Sequence, residues 1–215
     1  MSAVREKAAR LDAIASLAPV IAIVVVDELA HAVPLARALV AGGIRAIEVT
    51  LRTPVALDAI RAIAAEVDRA EVGAGTLLAP RDIASAIAAG ARFGVSPGTT
   101  PALLDAAADS PLPYLPGAAT ASEAMQLLDR GYALQKFFPA TAAGGPELLR
   151  SLASPLPAIR FCPTGGISVA TAGQWLSLPN VACIGGSWMC SPGIVRAGAW
   201  AEIERLAAAA AAARG

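Results

Sequence analysis

The sequence predicts an α/β fold: one TIM (β/α)8 barrel domain spanning residues 1–215, with an extra N-terminal helix. Three observations carry that expectation. Segments of strand and helix character alternate strictly, and eight strand starts recur every 20 to 27 residues. That is the rhythm of a barrel of roughly 200 to 250 residues. The strand segments are continuous apolar runs rich in β-branched residues, as strands buried on both faces require. Polar residues and glycines collect at the C-terminal ends of the strands, where such a barrel builds its site, while the starts are mostly small or apolar. An open doubly wound sheet is the rival. Eight strands are many for it, and no G-x-G-x-x-G follows the first strand.

The elements follow in order. Residues 1–18 hold an amphipathic leading helix, with Val4, Ala8, Leu11, Ile14 and Ala15 at helical spacing and Pro19 ending it. Val20 to Val26 is the first strand. His31 to Val40 is helical and stops at Gly42-Gly43. Ile44 to Thr50 is the second strand, followed by a helix from Pro54 to Val67. Glu71 to Gly75 is the third, with a helix from Pro80 to Gly90. Arg92 to Ser96 is the fourth, with a helix from Pro101. Leu112 to Pro116 is the fifth, with a helix from Thr120 to Arg130. Leu134 to Phe138 is the sixth, with a helix from Pro146 to Ala153. Ile159 to Pro163 is the seventh, with a helix from Val169 to Leu178. Val181 to Gly185 is the eighth. An alanine-rich helix over 198–213 closes the chain.

Composition excludes several classes of function. The net charge is +0, and no run of like charges marks a nucleic-acid partner or a membrane surface. The longest strongly apolar run, Pro19 to Val26, falls far short of the roughly 18 residues of a spanning helix. It lacks the small-residue cleavage site of a signal peptide. The three cysteines, Cys162, Cys183 and Cys190, have no metal-ligand spacing, and His31 is the single histidine. No metal site is expected. The cysteines read as reduced packing residues in a cytoplasmic protein.

One short stretch concentrates the chemistry. Lys7 and Lys136 are the two lysines. Lys7 sits in a charged segment, where it can stay solvated. Lys136 lies in an apolar strand beside Phe137, Phe138 and Pro139. Apolar surroundings favour a neutral amine, which can form an imine with a carbonyl. A lysine snorkelling from the sheet edge is the plainer reading of the stretch alone. Side chains alternate faces along a strand. Lys136 therefore shares a face with Leu134 and Phe138, and Glu48 shares one with Ala46 and Thr50. If both faces point inward, Glu48 and Lys136 approach each other across the barrel. A structural ion pair is the alternative. Thr164-Gly165-Gly166 and Gly185-Gly186-Ser187 follow the last two strands, where this fold holds phosphate on backbone N–H groups. Arg52, at the end of strand two, offers a planar fork to a carboxylate. His31 reads as a helix-start residue, and Trp175, Trp188 and Trp200 as packing groups, with Trp188 beside the glycine loops.

Seven ordered stretches carry a resemblance that runs from Pro19 to about Trp188. They are His31 to Pro34, Ile47 to Thr53, Val72 to Thr76, Ser96 to Gly98, Lys136 to Ala140, Arg160 to Ile167 and Cys183 to Trp188. With them the chain resembles the bacterial family of 2-keto-3-deoxy-6-phosphogluconate (KDPG) and 4-hydroxy-2-oxoglutarate aldolases, class I (Schiff-base) lyases. The resemblance implies cleavage of KDPG to pyruvate and glyceraldehyde 3-phosphate in the Entner-Doudoroff pathway. It implies Lys136 as imine-forming lysine and Glu48 as general acid/base. It implies Arg52 and Thr76 on the pyruvyl carboxylate, and Pro97 and Phe138 as pocket walls. Gly165, Gly166, Gly186 and Ser187 would take the phosphate, with Thr164 linked to preference at C4. It further implies a homotrimer, with no metal and no cofactor. Met189-Cys190-Ser191-Pro192 departs from the usual pattern. Cleavage of 4-hydroxy-2-oxoglutarate or of the C4-epimeric phosphogalactonate stays open. So do an imine-free epimerase and a non-catalytic barrel that binds a phosphate ligand.

Overall fold

The computed structural model describes residues 3–213, so the first two residues of the predicted leading helix lie outside the described residues. The order of elements is α1 (Ala3–Ala15), β1 (Val20–Val24), α2 (Ala32–Ala41), β2 (Ala46–Thr50), α3 (Ala56–Glu66), β3 (Glu71–Gly75), α4 (Pro80–Ala88), β4 (Phe93–Val95) and α5 (Pro101–Asp109). Then come β5 (Tyr114–Leu115), β6 (Gly117–Ala118), α6 (Ala121–Asp129), β7 (Leu134–Phe137), α7 (Gly145–Ala153), β8 (Arg160–Pro163), α8 (Val169–Leu176) and β9 (Ile184–Gly186). A 3-10 turn at Trp188–Cys190, α9 (Pro192–Arg196) and α10 (Trp200–Ala211) follow. The alternation is the predicted one. A 3-10 turn at Leu29–His31, the turn at Trp188 and α9 are additions, each too short for periodicity to show.

Every strand pairing is parallel. The ladder differs from the single eight-stranded ring expected. Six strands form a half-barrel sheet in the order β5-β4-β3-β2-β1-β9, and three form a second sheet, β6-β7-β8. The division falls at Pro116, the last residue of the predicted fifth strand, which continues beyond it as Gly117–Ala118. Proline has no N–H to give to a ladder, so the strand splits there. Its first half pairs with β4 and its second with β7. On the other side, bridges Phe161↔Val181 and Thr164↔Gly185 tie β8 to the β9 segment.

Both faces of the strands are buried, which explains their continuous apolar character. Val20, Ala22, Val24, Ile47, Val49 and Phe137 belong to the larger core shared with the helices. Their neighbours Ile21, Ala46, Phe93, Val95, Leu115, Leu134 and Cys162 form a second cluster with Leu11, Ile14 and Ala15 of α1. Helix α1 therefore lies across the N-terminal ends of the strands and seals the inner cluster from below. Beside it a cavity of about 60 Å³ remains, lined by Lys7, Leu11, Tyr114, Tyr132, Leu134 and Arg160. At the rim Arg160 pairs with Asp12 at 2.6 Å and Arg92 with Glu71 at 3.6 Å. The polar residues at these strand starts are thus engaged in ion pairs with neighbouring elements. Among the described residues no helix is long and apolar enough to cross a membrane.

Lys7 corrects one expectation. Its ammonium is half-buried and donates to the carbonyls of Ala107, Ala108 and Ser110 at 3.0, 2.7 and 2.8 Å. These carbonyls close the C-terminus of α5, where Ala107 O also accepts from the Ser110 hydroxyl at 3.1 Å and a cation meets the negative end of the helix dipole. Burial lowers the Lys7 pKa, and Asp109 opposes that shift. Lys7→Met should keep the stem packing and lose the cap. We expect unfolding free energy in urea to fall by about 1 kcal/mol.

Candidate active site

Strand parity brings Glu48 and Lys136 together as expected. Lys136 Nζ donates to Glu48 Oε1 at 3.2 Å, and the side chains are 5% and 3% exposed. The pair sits one layer above Ala46 and Leu134 of the inner cluster, so apolar side chains form its floor. The Phe138 ring lies beside the ammonium, 5.5 Å from Nζ to the ring centre, in the range of a cation–π contact. The backbone holds the lysine from both sides. Its N–H donates to Pro116 O at 2.8 Å, and Lys136 pairs in register with Cys162 on β8.

Glu48 is placed by an absence of bulk. A Cβ on Gly75 would fall 2.2 Å from Glu48 Oε1. Only a glycine on the neighbouring strand leaves room for the carboxylate to reach Lys136. Gly73 does the same one layer down, where an added Cβ would meet the Phe93 ring at 2.5 Å. Gly73 and Gly75 belong to the Val72 to Thr76 stretch, where nothing in the residue order alone announces this steric role.

Arg52 and Thr76 follow directly on β2 and β3. Arg52 is exposed, and its Nε donates to Thr76 Oγ1 at 3.2 Å. The terminal nitrogens of its fork stay available for a planar anion. Thr76 has φ 63°, the one positive value at a non-glycine position among the described residues. For a β-branched residue this region is a true outlier, costing about 1–3 kcal/mol, and such strain concentrates at functional sites. Thr50 and Thr53 anchor the same strand end by donating to Val24 O at 3.1 Å and Val26 O at 2.6 Å.

The glycine loops lie beside this group. Gly165 and Gly166 have φ 104° and 76°. A Cβ on Gly165 would come 3.3 Å from the Phe138 ring, so the loop packs on the wall next to Lys136. Among the described residues the N–H groups of Gly165 and Gly166 make no backbone hydrogen bond. Thr164 is buried and its Oγ1 donates to Cys162 O at 3.4 Å. A Cβ on Gly185 would meet that Oγ1 at 2.2 Å, and one on Gly186 would meet the Trp188 ring at 2.0 Å. Trp188 therefore backs the second loop, with Ser187 exposed at its tip. Pro97 is half-buried, and its carbonyl abuts Gly117. His31 stands apart from these residues, edge-on to Trp200 at 5.7 Å. Among the described residues no cluster of three or more His, Cys, Asp or Glu could hold a metal.

The arrangement is a buried amine and carboxylate in contact, a guanidinium nearby, and a loop at Gly165-Gly166 whose N–H groups make no backbone hydrogen bond among the described residues. It can form a covalent bond to a carbonyl, move a proton, and hold anions at two ends of one molecule. Its buried pair has a distinct energetic signature. Removing one partner strands a charge, at a cost of about 3–5 kcal/mol, whereas replacing both with apolar groups is often neutral. Lys136→Met should therefore lower unfolding free energy by several kcal/mol. Lys136→Met with Glu48→Leu should recover most of it, as urea titration will report.

Comparison with known proteins places this geometry. The family profile for KDPG and KHG aldolase matches residues 11–206. The chain is 50% identical over 196 residues to the KHG/KDPG aldolase of Escherichia coli K12, covering 91% of this chain and 92% of that protein. Its fold superposes with TM-score 0.92 on a Legionella pneumophila KDPG aldolase whose structure holds pyruvate captured at low pH as a covalent carbinolamine intermediate. Identity is 44%, over 94% of this chain and 98% of that one. The KDPG aldolase of Zymomonas mobilis ZM4 with 3-phosphoglycerate gives TM-score 0.90 at 44% identity, over 95% and 96% of the two chains. With the matched profile covering most of its length, the chain belongs to the KDPG and KHG aldolase family.

Proposed function

We propose that the chain is a class I aldolase that cleaves KDPG to pyruvate and glyceraldehyde 3-phosphate. The observation that carries this reading is the Lys136–Glu48 contact at 3.2 Å inside a nearly closed apolar interior. An imine needs a neutral amine, and Glu48 is within reach of the ammonium proton. Once Glu48 has taken it, Lys136 Nζ adds to the C2 ketone of the substrate to give a carbinolamine. Glu48 returns its proton to the carbinolamine hydroxyl, which leaves as water and yields a protonated imine. That cation is an electron sink. Glu48, again a carboxylate, takes the C4 hydroxyl proton, and the C3–C4 bond breaks. Glyceraldehyde 3-phosphate departs and an enamine remains on Lys136. Protonation of C3 by Glu48 and addition of water to the resulting imine free pyruvate and the amine. General acid–base assistance of this kind contributes about 10²- to 10⁴-fold.

The remaining roles are those the family resemblance implies, and the placement of the residues supports them. The Arg52 fork and Thr76 hydroxyl hold the pyruvyl carboxylate at the ends of β2 and β3. Pro97 and Phe138 wall the carbonyl pocket, and Thr164 faces the C4 side. The free N–H groups of Gly165 and Gly166, with Gly186 and the Ser187 hydroxyl, cradle the phosphate as backbone anion sites do. The phosphoglycerate held by the Zymomonas relative supports a phosphorylated ligand here. No metal or cofactor enters any step.

The two parallel sheets constitute, on this reading, a single (β/α)8 barrel domain over residues 1–215, with β5 and β6 as halves of one strand and α1 as an extra helix. The bridges from β8 to the β9 segment and the split at Pro116 support it. Three copies assemble as a homotrimer in the cytoplasm. Sedimentation should give about three times the chain mass of 21.5 kDa, and a monomeric mass would overturn the trimer.

Borohydride reduction in the presence of pyruvate should add one pyruvyl group to Lys136, located by peptide mass spectrometry. Folded protein that takes up no adduct would overturn the mechanism. Lys136→Arg should abolish turnover, since a guanidinium forms no imine. Glu48→Gln should retain trapping and lose about 10²-fold or more in cleavage rate. Comparing KDPG with its C4 epimer and with 4-hydroxy-2-oxoglutarate separates the related activities. A preference for the unphosphorylated acid would leave the glycine loops without a role.

A further inference from the structure

The wall residue Pro97 has an unusual support. Val95 on β4 and Leu115 on β5 belong to the inner cluster. By strand alternation their neighbours Ser96 and Tyr114 face the other way, behind the wall. There Ser96 Oγ and Tyr114 Oη lie 2.5 Å apart, with Ser96 fully buried and Tyr114 4% exposed. Burial pushes the Tyr114 phenol well up, so it stays neutral. Tyr132 stacks edge-on against the Tyr114 ring at 5.8 Å and limits its swing.

Pro97 itself has no N–H with which to be pinned. Its position therefore depends on Ser96 before it and on what packs against it. Ser96 N–H donates to Leu115 O at 3.3 Å, next to Tyr114. A Cβ on Gly117 would fall 2.4 Å from the Pro97 carbonyl carbon and oxygen, so the two backbones touch. Pro116, between Tyr114 and Gly117, accepts the Lys136 N–H at 2.8 Å. The end of β4, the break in the fifth strand and the backbone of Lys136 thus form one connected unit.

We propose that Tyr114, through its hydroxyl contact with Ser96, is a positioning residue that fixes the Pro97 wall and so sets affinity for the three-carbon keto-acid limb of the substrate. The proposal rests on the aldolase reading. Tyr114 touches no reacting atom. Its effect is confined to the pyruvyl end, because the glycine loops are built from other strands.

The test is steady-state kinetics in the synthesis direction, with pyruvate and glyceraldehyde 3-phosphate, for the parent, Tyr114→Phe, Ser96→Ala and the double variant. Tyr114→Phe removes one oxygen and keeps the ring. Each single variant should raise KM for pyruvate about 3- to 10-fold, the size of one ordinary hydrogen bond. KM for glyceraldehyde 3-phosphate should not change. A purely structural role predicts the reverse: less active protein and both KM values unchanged. The double variant sharpens this. Removing both hydroxyls leaves no unpaired group, so thermal stability should recover. The raised KM for pyruvate should persist. An unaltered pyruvate KM in Tyr114→Phe, or its return to the parent value in the double variant, would overturn the proposal. If Ser96→Ala does not fold, Tyr114→Phe decides alone. Borohydride trapping of pyruvate on the parent is the separate arm. Its failure would bring down the aldolase reading, and the proposal with it, whatever the variants do.

Discussion

A lysine and a glutamate in contact inside an apolar interior are the constraint to which the surrounding structure answers. Neither charge can be left alone there without a cost of several kcal/mol. Both must therefore arrive from different strands at one height, in one orientation. Parallel strands with an inward period of two deliver that, provided the register is fixed. The register is fixed by β2 against β3 over five residue pairs and by β7 against β8 over four. Leu11, Ile14 and Ala15 of α1 close the space beneath. The scaffold holds the two atoms at hydrogen-bond distance and leaves little of either side chain exposed.

Close backbone approach is the means by which this is done. Gly75 admits the carboxylate, Gly185 admits the Thr164 hydroxyl, and Gly117 lets the fifth strand lie on the Pro97 carbonyl. Each is a place where a neighbouring group occupies the volume of a missing side chain. The strained Thr76 backbone belongs to the same economy of space, since it turns a hydroxyl toward Arg52 at the point where β3 ends.

Much of this was legible from residue order alone. Once both faces are taken to point inward, strand parity puts Glu48 opposite Lys136. The order of helices and strands was equally plain, with Pro and Gly marking the boundaries. What stayed hidden depends on partners distant in sequence. The acceptors of Lys7 lie about a hundred residues away on α5, and no local pattern announces a cation at another helix's end. The split of the fifth strand follows from Pro116, yet one proline does not say to which neighbours the halves will pair. Ser96 belongs to the Ser96 to Gly98 stretch, yet nothing local announces that the Tyr114 hydroxyl will meet it.

The crowding around the glycines also bears on how such a protein can change. Positions 75, 117 and 185 are closed to any side chain, since even a methyl group would overlap a neighbouring atom. Gly98 is different: nothing lies within 4 Å of where its Cβ would stand. Variation that preserves the chemistry is thereby channelled away from the strand ends and onto the rim of the loops. Among these glycines a side chain is admitted at the rim and refused in the interior.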